Sequence, residues 1–177
     1  MRKISVRKLV FANLSIALGI LMPFLTAQLP GMGSRFLTMH IPVLLSGFIC
    51  GWDYGMLVGF TVPMIRSMLF GMPPIFPVAA AMAIELAVYG GMTGILYRLL
   101  PKKTVYLYIA LIASMICGRI ALGATSILLY GLGGTQYTFE IFIAGTFFNA
   151  IPGIVIQLIV VPILIIALER SGVIINE

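Results

Sequence analysis

VYLYIALIASMICGRIALGATSILLY, residues Val105 to Tyr130, is apolar from end to end except for one charge, Arg119, near its middle. A run of that length exceeds the ~20 residues that carry a helix across the hydrocarbon of a bilayer. Lipid offers no partner to a free amide or carbonyl, so such a run satisfies its own backbone as an α-helix. An ionisable side chain in the centre of a span is costly, and its presence points to a site.

The same signature recurs on either side. The run from Ile75 to Leu99 encloses Glu85, and the run from Tyr54 to Phe70 encloses Arg66. Nearly every other charge lies at a terminus or in a short connection. The chain is 61% hydrophobic and 9% charged, with mean hydropathy +1.15, which is the composition of an integral membrane protein. Its 177 residues hold a few spans and their connections, with no room left for a soluble domain of useful size. The chain therefore reads as one all-α transmembrane domain over residues 1–177.

Six helical segments are expected: Leu9–Gln28, Met39–Gly51, Tyr54–Phe70, Ile75–Leu99, Val105–Tyr130 and Glu140–Leu168. The second is short and reads as tilted or only partly spanning. Gly and Pro punctuate the breaks at Pro30-Gly31-Met32-Gly33 and Gly71-Met72-Pro73-Pro74. The run after Arg7 and Lys8 is too long for a signal-peptide core and has no small-residue cleavage site, so it reads as the first span. An even number of spans places both termini on one side. Arg2, Lys3, Arg7, Lys8, Arg98, Lys102, Lys103 and Arg170 then share that side, which the positive-inside rule makes cytoplasmic. The net charge of +6 is explained by this orientation. Nucleic acid would need a basic face on a folded domain, and there is none. Cys50 and Cys117 lie in apolar runs and read as buried thiols rather than a disulfide.

Residues four apart share a helix face. Gly55, Gly59, Pro63, Ser67 and Gly71 form a small-residue stripe that lets helices approach closely. Ala81, Glu85, Tyr89, Thr93 and Tyr97 make the most polar face of the fourth helix. Met115, Arg119, Gly123 and Ser126 lie on one side of the fifth, and Gly145, Asn149, Gly153 and Gln157 align on the sixth. At the ~1.5 Å rise of a helix, Glu85, Arg119 and Asn149 lie about 15 Å below the outer helix ends, and Arg66 is shallower. They can meet in one layer.

Two readings of that layer compete. Glu85 and Arg119 can be an interhelical ion pair that only fastens the bundle, or they can line a pocket. Two buried Arg and one buried Glu leave one positive charge over. The planar fork of Arg binds a carboxylate bidentately, so an anionic ligand fits the surplus. His40, the single histidine, lies at the external start of the second helix, with a helix-end or pocket-rim role. With no second ligand in spacing, no metal site is expected. Phe70 and Phe76 flank the Gly-Met-Pro-Pro turn, where they can close over a ligand or face lipid headgroups.

Catalytic apparatus is missing. There is no Gly-rich loop ending in Gly-Lys-Ser or Gly-Lys-Thr, and no Gly-x-Ser-x-Gly elbow. No enzyme activity and no cofactor are expected, and binding or translocation is what remains. A stand-alone secondary transporter would carry inverted repeats, and no internal repeat is evident.

The stretch His40-Ile41-Pro42-Val43-Leu44-Leu45-Ser46-Gly47-Phe48-Ile49-Cys50-Gly51, with Tyr54-Gly55-Met56-Leu57-Val58-Gly59 and Phe70-Gly71-Met72-Pro73-Pro74-Ile75-Phe76-Pro77, is similar to the substrate-binding S component of energy-coupling factor (ECF) vitamin transporters. Within that family the chain most resembles pantothenate-type members; S components for pyridoxine, folate or riboflavin are the alternatives. The resemblance implies a vitamin bound from outside, in a bacterial plasma membrane. It also implies docking onto a shared transmembrane subunit and two cytoplasmic ATPases, through a small-residue Ala-x-x-x-Ala motif on the first helix. Here that motif is replaced by Asn13-Leu14-Ser15-Ile16-Ala17 and Ser15-Ile16-Ala17-Leu18-Gly19. The candidate substrate-binding residues are thus Arg119, Asn149, Glu85, Arg66, Tyr89, Phe76 and His40. The candidate docking residues are Asn13, Ser15, Ala17 and Gly19.

Overall fold

The computed structural model describes residues 5–27, 38–132 and 150–172. Among them are six α-helices and no strand. They are α1 (Val6–Ala27), α2 (His40–Cys50), α3 (Trp52–Phe70), α4 (Ala80–Leu99), α5 (Thr104–Leu132) and α6 (Ile151–Arg170). A wide π-type turn, Ile75–Ala79, leads into α4.

Among the described residues, four stretches are long and apolar enough to cross a membrane: Val6–Phe24, Ile75–Leu99, Thr104–Gly131 and Ile151–Arg170. In α3, 19 residues long, Asp53 and Arg66 dilute the apolar run. The 11 residues of α2 rise only ~16 Å, about half the hydrocarbon thickness. Six helices are therefore present among the described residues, but α2 does not have the length of a span.

Of the segment expected from Glu140 to Leu168, the described part is α6, which runs from Ile151 after a turn at Ala150. Pro152 occupies the first turn, where its missing N–H costs nothing. Residues 140–149 lie outside the described residues.

Helix α4 is the axis of the bundle. It packs on α2, α3 and α5, while α1 lies against α2 and α3, and α6 against α2 and α5. The α3–α4 contact is made by backbone. A methyl group added at Gly55 would fall 2.3 Å from the Gly90 carbonyl oxygen, and one at Gly90 would fall 2.1 Å from that of Gly55. At Gly59 it would meet the Leu86 carbonyl oxygen at 2.2 Å. The small-residue stripe of α3 is thus a packing device, as its spacing implies. Its last member, Gly71, is exposed and instead ends α3 in the left-handed region, with φ 68°. Gly51, at φ 99°, makes the sharp corner between α2 and α3.

The inward faces read from the sequence are the buried ones. Ala81, Glu85, Tyr89, Thr93 and Tyr97 of α4 are enclosed, as are Met115, Arg119, Gly123 and Ser126 of α5 and Gly153 and Gln157 of α6. On α1 the four candidate docking residues divide. Ser15 and Gly19 face the bundle, Gly19 against Val62, whereas Asn13 and Ala17 lie on the exposed face. The Cys50 and Cys117 thiols are both free; Cys50 is buried and Cys117 half-buried.

Candidate functional site

A cavity of about 390 Å³ lies between the end of α1, the starts of α2 and α4, the end of α3 and the middle of α5. Its size is within the ~300–1,000 Å³ of small-molecule pockets. Met72 and Pro73 of the Gly-Met-Pro-Pro turn form part of its wall, and that turn is fixed by a hydrogen bond from the Ser67 hydroxyl to the Pro73 carbonyl. Met82 and Leu122 add apolar surface one turn from Glu85 and Arg119 respectively.

The polar part of the cavity comes from α2, α4 and α5. Arg119 Nη1 lies 3.1 Å from Glu85 Oε1, so the two form an ion pair, and both also line the cavity. His40 Nε2 lies 3.7 Å from the other oxygen, Oε2. One carboxylate thus stands between a guanidinium and an imidazole. Glu85 is 1% exposed, His40 1% and Arg119 5%. The His40 ring stands edge-on to Tyr89, with centroids 5.4 Å apart, and the Tyr89 hydroxyl is within electrostatic reach of Glu85 and Arg119.

His40 is enclosed rather than at a rim. A helix of eleven residues whose C-terminal end meets the Gly51 corner has its first residue at the depth of Glu85. Sequence position at a helix start therefore misjudged its depth.

Several buried polar atoms here have no hydrogen-bond partner among the described residues. They are Nε and Nη2 of Arg119, both ring nitrogens of His40 and the Tyr89 hydroxyl. Native interiors leave few such groups unpaired. In a guanidinium, Nε–H and Nη2–H point the same way and form its side-on edge. Nη1 is turned to Glu85, and no described residue hydrogen-bonds the side-on edge.

Arg66 lines the same cavity but is held differently. Nη1 donates to the Ile20 carbonyl at 2.8 Å, and the guanidinium lies 4.8 Å from the Phe24 ring centroid and 6.0 Å from that of Phe70. None of these partners is charged. Arg66 is therefore the cation that Glu85, the one carboxylate among the described residues lining the cavity, does not neutralise, while Arg119 is the paired one. Phe70 packs edge-on to Phe24 at 4.8 Å. Phe76 is about half exposed in the turn before α4 and is not part of the cavity wall. Asn149 lies outside the described residues. The sequence reading missed Met82 and Leu122, although three-residue spacing from the two charges was signal enough.

A second polar cluster occupies the opposite end. The Tyr97 hydroxyl donates to Glu169, and Lys102 Nζ donates to the Tyr97 carbonyl at 2.7 Å while lying 3.3 Å from its ring centroid. Partial burial holds the Lys102 amine below the ordinary lysine range, and Glu169 offsets part of that. At this end Arg7 Nη2 donates to the Gly172 carbonyl at 3.1 Å, which brings the start of α1 to the end of α6.

The apolar bundle and its charged cavity define a membrane-embedded binder of small molecules. The family described as "ECF transporter, substrate-specific component" matches residues 7–165, most of the chain, and the protein belongs to that family. It is a substrate-binding component of a membrane transporter and not an enzyme. No curated protein and no solved structure matches the chain.

Proposed function

We propose that the chain binds a carboxylate-bearing vitamin, pantothenate before others, in the cavity at Arg119. It then hands the vitamin to a shared transmembrane subunit driven by two ATPases in a bacterial plasma membrane. The observation that carries this reading is the open side-on edge of Arg119, buried and facing a cavity of ligand size. A carboxylate seated on that edge makes two parallel charge-assisted hydrogen bonds. Arg66 supplies the positive charge that Glu85 leaves over. The methionine and proline walls suit the gem-dimethyl and chain carbons of pantothenate. A cationic vitamin such as thiamine would meet two guanidinium groups.

In this reading both termini are cytoplasmic and the cavity opens to the outside. The Arg7, Lys102 and Arg170 end then faces the cytoplasm, as the positive-inside rule asks. The shared subunit lies along the exposed face of α1, where Asn13 and Ala17 are available, while Ser15 and Gly19 serve packing inside the chain. The experiment is mass spectrometry of the small molecule released from protein purified in detergent. Pantothenate is the expected species. Recovery of a molecule with no acidic group would overturn the assignment.

A further inference from the structure

We propose that His40 sets the charge the cavity accepts, by competing with Arg119 for Glu85, so that binding a carboxylate draws a proton onto the imidazole. This rests on the reading of the cavity as the ligand site.

The two oxygens of Glu85 face different partners, Arg119 Nη1 at 3.1 Å and His40 Nε2 at 3.7 Å. All three side chains line the cavity, and neither imidazole nitrogen has a hydrogen-bond partner among the described residues. With the ring neutral, Glu85 and Arg119 cancel each other, and a ligand carboxylate has to share Arg119 with Glu85. With the ring protonated, the trio carries one net positive charge. Glu85 is then balanced by His40, and Arg119 is free to pair with the ligand through its open edge. The ligand's negative charge and the proton enter together. Within the trio of Glu85, Arg119 and His40 each buried charge then has a partner, where an unpaired one would be penalised heavily, and Arg66 stands apart at the wall on the Ile20 carbonyl and the Phe24 ring.

Among the described residues, the other ionisable groups around α2 are placed so that they do not take over this role. From α3, Arg66 lines the cavity but is held by the Ile20 carbonyl and the Phe24 ring, and Asp53 and Tyr54 lie at the far end beside Gly51. From α4, only Glu85 and Tyr89 face the imidazole. On α1, Arg7 and Lys8 lie at the opposite end, where the Lys8 carbonyl meets the Cys50 thiol. On α6 the charges are Glu169 and Arg170, also at that end.

The chain has a single histidine, so one imidazole signal from 15N-histidine-labelled protein in detergent reports this site alone. The signal is followed from about pH 8 to about pH 5.5, the range over which an imidazole changes charge. Without ligand, Glu85→Gln should lower the midpoint by about one pH unit and Arg119→Gln should raise it by about as much, since each changes the claim on one carboxylate. Midpoints that ignore both substitutions would overturn the proposal. In the unsubstituted protein, affinity for pantothenate should rise about tenfold on acidification over this range, and His40→Gln should abolish that rise. Pantothenate binding that is equally tight at both pH values would sink the proposal and leave the vitamin assignment standing. Midpoints that respond to the substitutions, with no response to pantothenate at any pH, would support the charge competition and remove pantothenate as the ligand. If neither substituted protein folds, an imidazole that never titrates in the unsubstituted protein, with or without pantothenate, decides against it.

Discussion

Two faces of α4 solve opposite problems. Toward α3 it presents Gly90, Gly94 and the Leu86 carbonyl, and the backbones touch with no side chain between them. Toward α2 and α5 it presents Glu85 and Tyr89, and there large polar side chains hold the helices apart around a cavity. The seam is a structural joint with nothing left to satisfy. The cavity floor has donors and acceptors that the described residues do not satisfy. In lipid, close packing of small residues supplies the cohesion that water supplies to soluble folds. That cohesion is what lets a neighbouring face carry unsatisfied charge.

Breaking the seam should have the largest effect. Gly90→Val places its first carbon 2.1 Å from the Gly55 carbonyl oxygen, and the nearest atoms are all backbone, with no flexible side chain to yield. Near-complete loss of monodisperse protein in detergent chromatography is expected, with or without ligand. Recovery at normal yield would mean that the seam is not the joint described here.

On the other face, Arg119→Gln should lower affinity for pantothenate at least ~100-fold by calorimetry. It also leaves Glu85 buried without its partner, which costs about 3–5 kcal/mol of stability. The double variant Glu85→Gln/Arg119→Gln separates these effects. It should regain most of the thermal stability, because no lone charge remains, and regain none of the binding.

Arg66→Gln should do less, about tenfold in affinity, since its contacts to Ile20 and Phe24 place it at the wall and not beside the open edge. The smallest effect belongs to Tyr97→Phe at the remote cluster. It removes one hydroxyl bond to Glu169 and should cost about 1 kcal/mol of stability with ligand affinity unchanged. A change in affinity there would show that the two ends of α4 are coupled.

Much of this division was readable from residue order alone. Glu85 and Arg119 can be afforded by lipid only if they face inward and toward each other, so three- and four-residue spacing fixed the faces of α4 and α5. The glycine stripe of α3 was readable for the same reason. Depth was not. Nothing in His40-Ile41-Pro42 says that an eleven-residue helix starts level with Glu85, because its depth is set by the Gly51 corner and by packing on α4. The division of α1 between Ser15 and Gly19 inside and Asn13 and Ala17 outside depends on which neighbour it meets, Val62 of α3, which one helix does not encode.

The account stands on the open edge of Arg119 receiving a carboxylate. The direct measurement is calorimetric titration of the purified, unsubstituted protein with pantothenate and with its alcohol analogue, in which the carboxylate is replaced by a hydroxymethyl group. Pantothenate should bind at least ~100-fold more tightly, because the analogue leaves a buried guanidinium edge unpaired. Equal affinity for the acid and the alcohol would contradict the account.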